Sequence, residues 1–354
     1  MDPIAALNNQ MEIFPEDIRA RPGMYVGGTE AFGFTIYLVC VIARLLAQEA
    51  TYIAVHFGDG IEITSDAKIK IERTEWGLCP FGVVLWQADK YKMSWIYGSP
   101  FEEDNSLLVL NALSRELHVS LQTAQQSEEL SFTRGELNSH HITEARNEAA
   151  EITLRFHPDT DIFTVTELSP TIFESWFRRL SFLHAGVRFS LSVNGKKQVF
   201  QADNGIVDLF TVLSSPYQLM HEPIHFVREE GNCKIHLAMA YQSWTDNQLW
   251  CFINNGRAVE GGTHEDGLKH ALKSLRKKLA SPEQLDNGVV AVISVQYSNG
   301  LVYQGASRNR VINTELKMMV SRLVVEGTVE WLHDHPDVAA QISRLNRSMF
   351  PEWM

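Results

Sequence analysis

Apolar and polar positions follow two different rhythms along this chain. Residues 33–50 repeat apolar side chains at helical spacing behind a glycine start, which predicts a helix. Tyr52 to Phe57 and Gly60 to Thr64 alternate with period two around Asp59-Gly60 and predict a hairpin. Residues 66–104 hold no clean period and are rich in Trp, Gly and Pro. A helix is expected over Ser106 to Leu117, then strands over 117–124, 129–134 and 151–157. An amphipathic helix over 170–183 precedes strands near 187–193 and 197–201. Asp203-Asn204-Gly205 and Ser214-Ser215-Pro216 are turn signals that mark a boundary near 205–220. Beyond it, strands at 223–228, 233–241 and 249–254 lead to a helix of about 265–280 and a strongly apolar strand from Val289 to Gln296. A long helix from about 313 to 333 and a short one from 336 to 347 close the pattern. Strand–helix–strand order in this half suggests an α/β layer and is compatible with a right-handed crossover.

Length and charge narrow the picture. A chain of 354 residues fits two domains, each long enough to bury its own core. The expected division is a polar arm over 1–22 ending at Arg21-Pro22-Gly23, domains over 23–213 and 214–335, and a helix and tail over 336–354. The formal charge of −12 excludes a coat of nucleic acid but leaves room for a local basic face. Cys40, Cys79, Cys233 and Cys251 lie too far apart for metal-ligand spacing and read as buried thiols. The histidines, among them His140-His141, His184, His264 and His333-Asp334-His335, form no HExxH or Cys/His zinc pattern, so no metal is expected. The N-terminus has no signal-peptide pattern. The longest apolar stretch, Ile36 to Ala47, contains Arg44 and is too short to span a bilayer. A cytoplasmic protein with no membrane partner is expected.

Several stretches resemble one family. Ile18-Arg19-Ala20-Arg21-Pro22-Gly23-Met24-Tyr25-Val26-Gly27 is similar to the opening motif of the bacterial DNA gyrase B and topoisomerase IV ATPase subunits. Asn111-Ala112-Leu113-Ser114 resembles their NALS helix, and Leu180-Ser181-Phe182-Leu183 with Gly186-Val187 their LSFLNxGV segment. Phe252-Ile253-Asn254-Asn255 with Gly261-Gly262-Thr263-His264 resembles the start of their transducer domain. Val290 to Val295 resembles the strand before their catalytic-lysine loop. The motifs run in family order over about residues 16–330. The resemblance implies an α+β two-domain chain: a GHKL (Bergerat-type) ATPase-like α/β sandwich followed by a ribosomal S5-type transducer domain. The family's toprim domain has no counterpart motif here, so cleavage or metal chemistry of that kind is not expected.

The resemblance also implies a nucleotide site, and its positions carry unusual residues. Where the family has a Glu general base and, four residues later, an Asn that holds Mg²⁺, this chain has Cys40 and Arg44. Cysteine lacks the carboxylate that would deprotonate water. Arginine has no acceptor for a metal. Glu49, nearby, is an alternative base. Asp66 aligns with the Asp that reads adenine, and a plain hairpin-end carboxylate is the other reading. The glycine-rich lid aligns with Pro100, Phe101, Glu102, Glu103 and Asp104. That stretch holds no glycine and three acids where phosphates would lie, although acids at a helix start are also ordinary capping chemistry. The family's TGT threonine falls at Ile152. In its QTK loop Ala306 replaces Gln and Arg308 replaces Lys, with Arg310 beside it.

With base, metal ligand, lid and lysine loop all altered, the expectation is a pseudo-ATPase. It would homodimerise or bind a protein partner, a topoisomerase or a neighbouring effector, and no cofactor is expected. Two other readings stay open. One is an active topoisomerase-type ATPase whose Glu49, Asp66 and Arg308 converge on ATP and Mg²⁺. The other is a DNA-binding clamp, since Lys269, Lys273, Arg276 and Lys277 share one face of a predicted helix that also carries His270 and Lys278. Trp76, Trp86 and Trp95 read as core filling the altered pocket or as a partner patch.

Overall fold

The computed structural model describes residues 15–68, 106–124, 126–144, 150–164, 170–243, 246–258, 260–278, 287–304 and 310–348. The chain divides into two compact units. One runs to Ser181 and includes Gly186–Gln201; the other joins Phe182–Ala185 to the chain from Ala202 onward.

The first unit opens with two short helices, α1 (Pro15–Ala20) and α2 (Gly23–Val26), and the longer α3 (Ala31–Ala47). A hairpin follows, β1 (Tyr52–Gly58) and β2 (Gly60–Ser65). Then come α4 (Ser106–Leu113), β3 (Ser114–Gln122), β4 (Gln126–Thr133), β5 (Glu136–Glu144) and β6 (Glu151–Pro158). Helix α5 (Pro170–Leu183) leads to β7 (Arg188–Val193) and β8 (Lys196–Phe200). The eight strands form one sheet in the order β5-β4-β3-β6-β2-β1-β7-β8. Its neighbours are antiparallel except β1 and β7, which run parallel.

Alternation decides which face is buried. Val55 lies opposite both Ile63 and Leu191, and Val119 opposite both Leu154 and Leu130. This apolar face packs with Phe34, Leu38 and Ile42 of α3, Leu107 and Leu110 of α4, and Phe173, Phe177 and Leu180 of α5. The opposite face presents His56, Glu62, Arg155 and His118 in one cross-strand row. A sheet with one wet face reads in sequence as clean alternation.

Three sequence expectations are corrected here. The helix expected to reach Leu117 stops at Leu113. Ser114 accepts a hydrogen bond from the Tyr37 hydroxyl at 2.6 Å and donates its own to the Leu110 carbonyl, and from there Leu117, Val119 and Leu121 alternate as strand. Strand β5 was not expected, because an edge strand of sequence ELNSHHITE carries no apolar alternation. Residues 15–20 of the expected polar arm are a helix with Ile18 buried.

The second unit starts with α6 (Ile206–Ser214), in a stretch that sequence patterning reads as a boundary. It then runs β9 (Ile224–Glu230), β10 (Cys233–Tyr241), β11 (Gln248–Ile253), α7 (Thr263–Lys278), β12 (Val289–Tyr297), α8 (Thr314–Asp334) and α9 (Pro336–Ser348). The sheet order is β11-β12-β10-β9. Strands β11 and β12 are parallel and α7 crosses between them, as the strand–helix–strand pattern predicts. One sheet face packs Leu237 and Ile293 with Leu268, Leu272, Val320 and Val324 of the long helices. The other packs Ala238, Ala240, Val290 and Val292 with Leu209 and Phe210 of α6. Every β12 residue from Val289 to Val295 is buried, which is why that strand reads as a continuous apolar run. Helix α8 lies tightly on β9: a Cβ on Gly327 would meet the Phe226 ring at 2.3 Å. Arg322 also pairs with Glu230 at 2.5 Å and Arg228 pairs with Glu330.

Candidate functional site

The RPGMY segment is held by charge. Arg19 on α1 donates to the carboxylate of Asp159 at 2.5 Å and to the Ala112 carbonyl at 2.8 Å. Arg134, in the β4–β5 turn, reaches the same carboxylate at 3.1 Å and Asp161 at 2.5 Å. The Asp159 side chain is 1% exposed. Burial alone would push its carboxyl up, but the Arg19 hydrogen bond, the Asp161 amide and the charge of Arg134 hold it below the ordinary carboxylate range. The NALS segment is structural too: Asn111 is buried and donates to the Gly135 carbonyl at 3.1 Å.

Helix α3 carries Cys40 and Arg44 one turn apart. Its entry is tight, since a Cβ on Gly33 would fall 1.9 Å from the Gly28 carbonyl oxygen. Glu49 follows the helix with φ at 56°. Its carboxylate accepts from Lys68 at 2.6 Å, with both side chains more than 70% exposed. Asp66 closes β2 onto β1: one oxygen accepts from the Thr51 and Tyr52 amides at 2.8 and 2.7 Å, and the other from the Thr51 hydroxyl. Ile152 is buried on β6 opposite Ser65. The structure therefore brings Glu49 and Asp66 to the same hairpin end, each with local partners. Pro100, Phe101, Glu102, Glu103, Asp104, Ala306 and Arg308 lie outside the described residues, as do Cys79, Trp76, Trp86 and Trp95.

In the second unit the Asn254-Asn255 pair makes a turn. Both residues have positive φ, which asparagine tolerates better than most residues. The Asn254 side chain completes the sheet end, accepting from the Tyr297 amide at 2.8 Å and donating to its carbonyl at 2.9 Å. Asn255 holds His184 at 2.6 Å. His264 has no exposed surface, and neither ring nitrogen has a hydrogen-bond partner among the described residues. Burial pushes its imidazole down to about 4. Arg310 donates to Asp266 at 2.8 Å and to the Glu260 carbonyl at 2.9 Å, so the residue beside the Ala306–Arg308 stretch is tied to the start of α7.

A family model for DNA gyrase B matches residues 205–348. The gyrase B subunit of Archaeoglobus fulgidus is 25% identical over 347 residues, covering 91% of this chain and 55% of that protein. That of Halalkalibacterium halodurans is 28% identical over 365 residues, covering 92% and 56%. The chain thus spans about half the length of the curated relatives it matches. The 43K ATPase domain of Thermus thermophilus gyrase B, solved with an aminocoumarin, superposes with a TM-score of 0.79 at 22% identity, over 98% of this chain and 96% of that one. The topoisomerase IV ATP-binding domain of Francisella tularensis gives 0.70 at 16% identity, over 94% and 97%. The chain is a divergent gyrase B-like relative. Its fold is the GHKL sandwich followed by an S5-type transducer.

On the gyrase B-like transducer, α7 carries the basic positions. Lys269 is 52% exposed and pairs with Glu265 at 2.6 Å, and Lys273 is exposed. Arg276 and Lys277 lie in its last turns. His270 turns toward α8 and bonds Ser321 at 2.8 Å. Cys233 and Cys251 are buried free thiols, and burial pushes Cys233 up to about 11. No group of three or more metal-ligating side chains occurs among the described residues. No described helix is long and apolar enough to cross a membrane. Sequence reasoning missed the Asp159 clasp. Its signal was a carboxylate directly after Pro158 at a strand end, too common to single out.

Proposed function

We propose that this chain is a catalytically degenerate gyrase B-like module that works by dimerising or by binding a protein partner, and not by turning over ATP. The observation that carries this is Arg44, one turn after Cys40 on α3, at the position where the family holds Mg²⁺. A guanidinium has no lone pair for a cation and repels it. This donor set does not fit a Mg²⁺-bound nucleotide. Two further features support the reading. Both Asp66 oxygens are engaged by the Thr51–Tyr52 backbone and hydroxyl, and the Glu49 carboxylate is tied to Lys68. The partner class that fits the relatives is a topoisomerase or another DNA-associated assembly.

Calorimetry with ATP and Mg²⁺, run beside size-exclusion light scattering, tests this. The expected result is no heat at millimolar nucleotide, together with a stable dimer or a capture-competent monomer. Micromolar binding, or hydrolysis lost on Glu49→Ala, would replace the proposal with an active ATPase.

A further inference from the structure

The edge of the first unit's sheet at β8 carries a cationic patch whose charges are unmatched. Lys196 and Lys197 stand exposed on β8, Arg188 on β7 and Arg178 on α5. Arg134, Arg155, Arg228, Arg310 and Arg322, by contrast, each pair with a carboxylate. None of the four at this edge has a carboxylate within ion-pair distance among the described residues. Arg178 instead lies over the Phe200 ring and Arg188 over Tyr52, at 5.5 and 5.7 Å. Glu174, on α5, accepts from Gln198 at 3.1 Å. Lys196 and Lys197 on the edge strand, with Arg178 and Arg188 on the elements beside it, make a local positive field in a chain of net charge −12.

The backbone says what form the anion takes. Among the described residues β8 has a strand neighbour on one side only, so its other side presents donors and acceptors at strand spacing. Register divides the side chains. Gln198 and Phe200 lie opposite Leu191 and Phe189 on the helix-covered face. Val199 and Lys197 lie opposite Ser190 and Ser192 on the open face. Val199 is 49% exposed there, with Lys197 two residues before it and Arg188 two residues from Ser190 on the neighbouring strand. Along β8 that row reads cation then apolar, and Arg188 lies one strand further in.

We infer that the β8 edge is a docking site for an acidic, extended segment of a protein partner, which adds to the sheet as a ninth strand. Main-chain hydrogen bonds would give affinity and alternate side chains specificity. The matching sequence places an acid, then an apolar residue, then an acid at every second position. The inference does not depend on whether nucleotide binds.

The probe is a fluorescein-labelled peptide, Thr-Glu-Thr-Val-Thr-Glu-Thr, titrated against the full chain by fluorescence anisotropy. Saturable binding is expected, weakened at least tenfold by Lys196→Glu with Lys197→Glu and falling with added salt. The same peptide N-methylated at alternate residues tests the backbone pairing without altering the protein. One of its two methylation registers should lose binding while its charges are intact. Equal binding of both N-methylated registers, no binding of the parent peptide, or binding that survives the double charge reversal would each overturn the inference. So would a 20-bp DNA duplex that outcompetes the peptide at equal charge, which would make the patch a phosphate site. Circular dichroism of the reversed variant verifies that its fold is retained.

Discussion

Asp159 is a buried carboxylate with two guanidiniums on it, so its charge is part of the fold. Replacing it with Asn leaves Arg19 and Arg134 facing an uncharged amide. The expected cost is about 3 kcal/mol at pH 7, read from urea unfolding. Its carboxyl is held below its unfolded value, so its contribution is complete above about pH 4 and is lost as pH falls through the folded value. The gap between wild type and Asp159→Asn should therefore close in acid. His264 works in the opposite range. Burial lowers its imidazole to about 4, so the unfolded state takes up the proton first between about pH 6.5 and 4. Stability should fall by about 2 kcal/mol from pH 7 to pH 5 on this account, and His264→Asn should flatten that slope. His184, His221 and His236 are also pushed down by burial and add to the slope that remains.

At the level of elements, α3 depends on a missing side chain. Gly33→Ala puts a methyl 1.9 Å from a backbone oxygen that cannot rotate away. The gain in helix propensity is about 1 kcal/mol, and the clash exceeds it. A net loss of about 2 kcal/mol is expected from the shift in thermal melting. The elements also mark what sequence can disclose. Strands with one buried face, such as β1, β2 and β6, were legible from alternation, and so were the long helices. The end of α4 was not, because its apolar run continues into β3 and only a Ser114 hydroxyl separates them. β5 was invisible because an edge needs no apolar face. At the candidate site, the identities of Cys40, Arg44 and Asp66 were readable. What Asp66 does with its oxygens was not, since Thr51 lies fifteen residues away in sequence and meets it only through the hairpin.

For the molecule as a whole, ligand linkage gives a test that ignores mechanism. A nucleotide at a hundredfold excess over its Kd would add about 2.7 kcal/mol to the stability of the unit that binds it. No rise in melting temperature is expected with millimolar ATP and Mg²⁺, and a rise would require an intact pocket. The order of the eight strands has another consequence, for a chain emerging from the ribosome. β1 is made early, yet one of its two neighbours is β7, whose Arg188 pairs with Tyr52. At about 5–20 residues per second, Ile53 and Val55 wait many seconds for that partner. During synthesis the nascent sheet therefore shows an apolar open flank, the kind of surface that strays into other chains. Only when residues 188–193 arrive does the first unit acquire a closed interior, which makes its late strand pair the step a holdase chaperone would have to bridge.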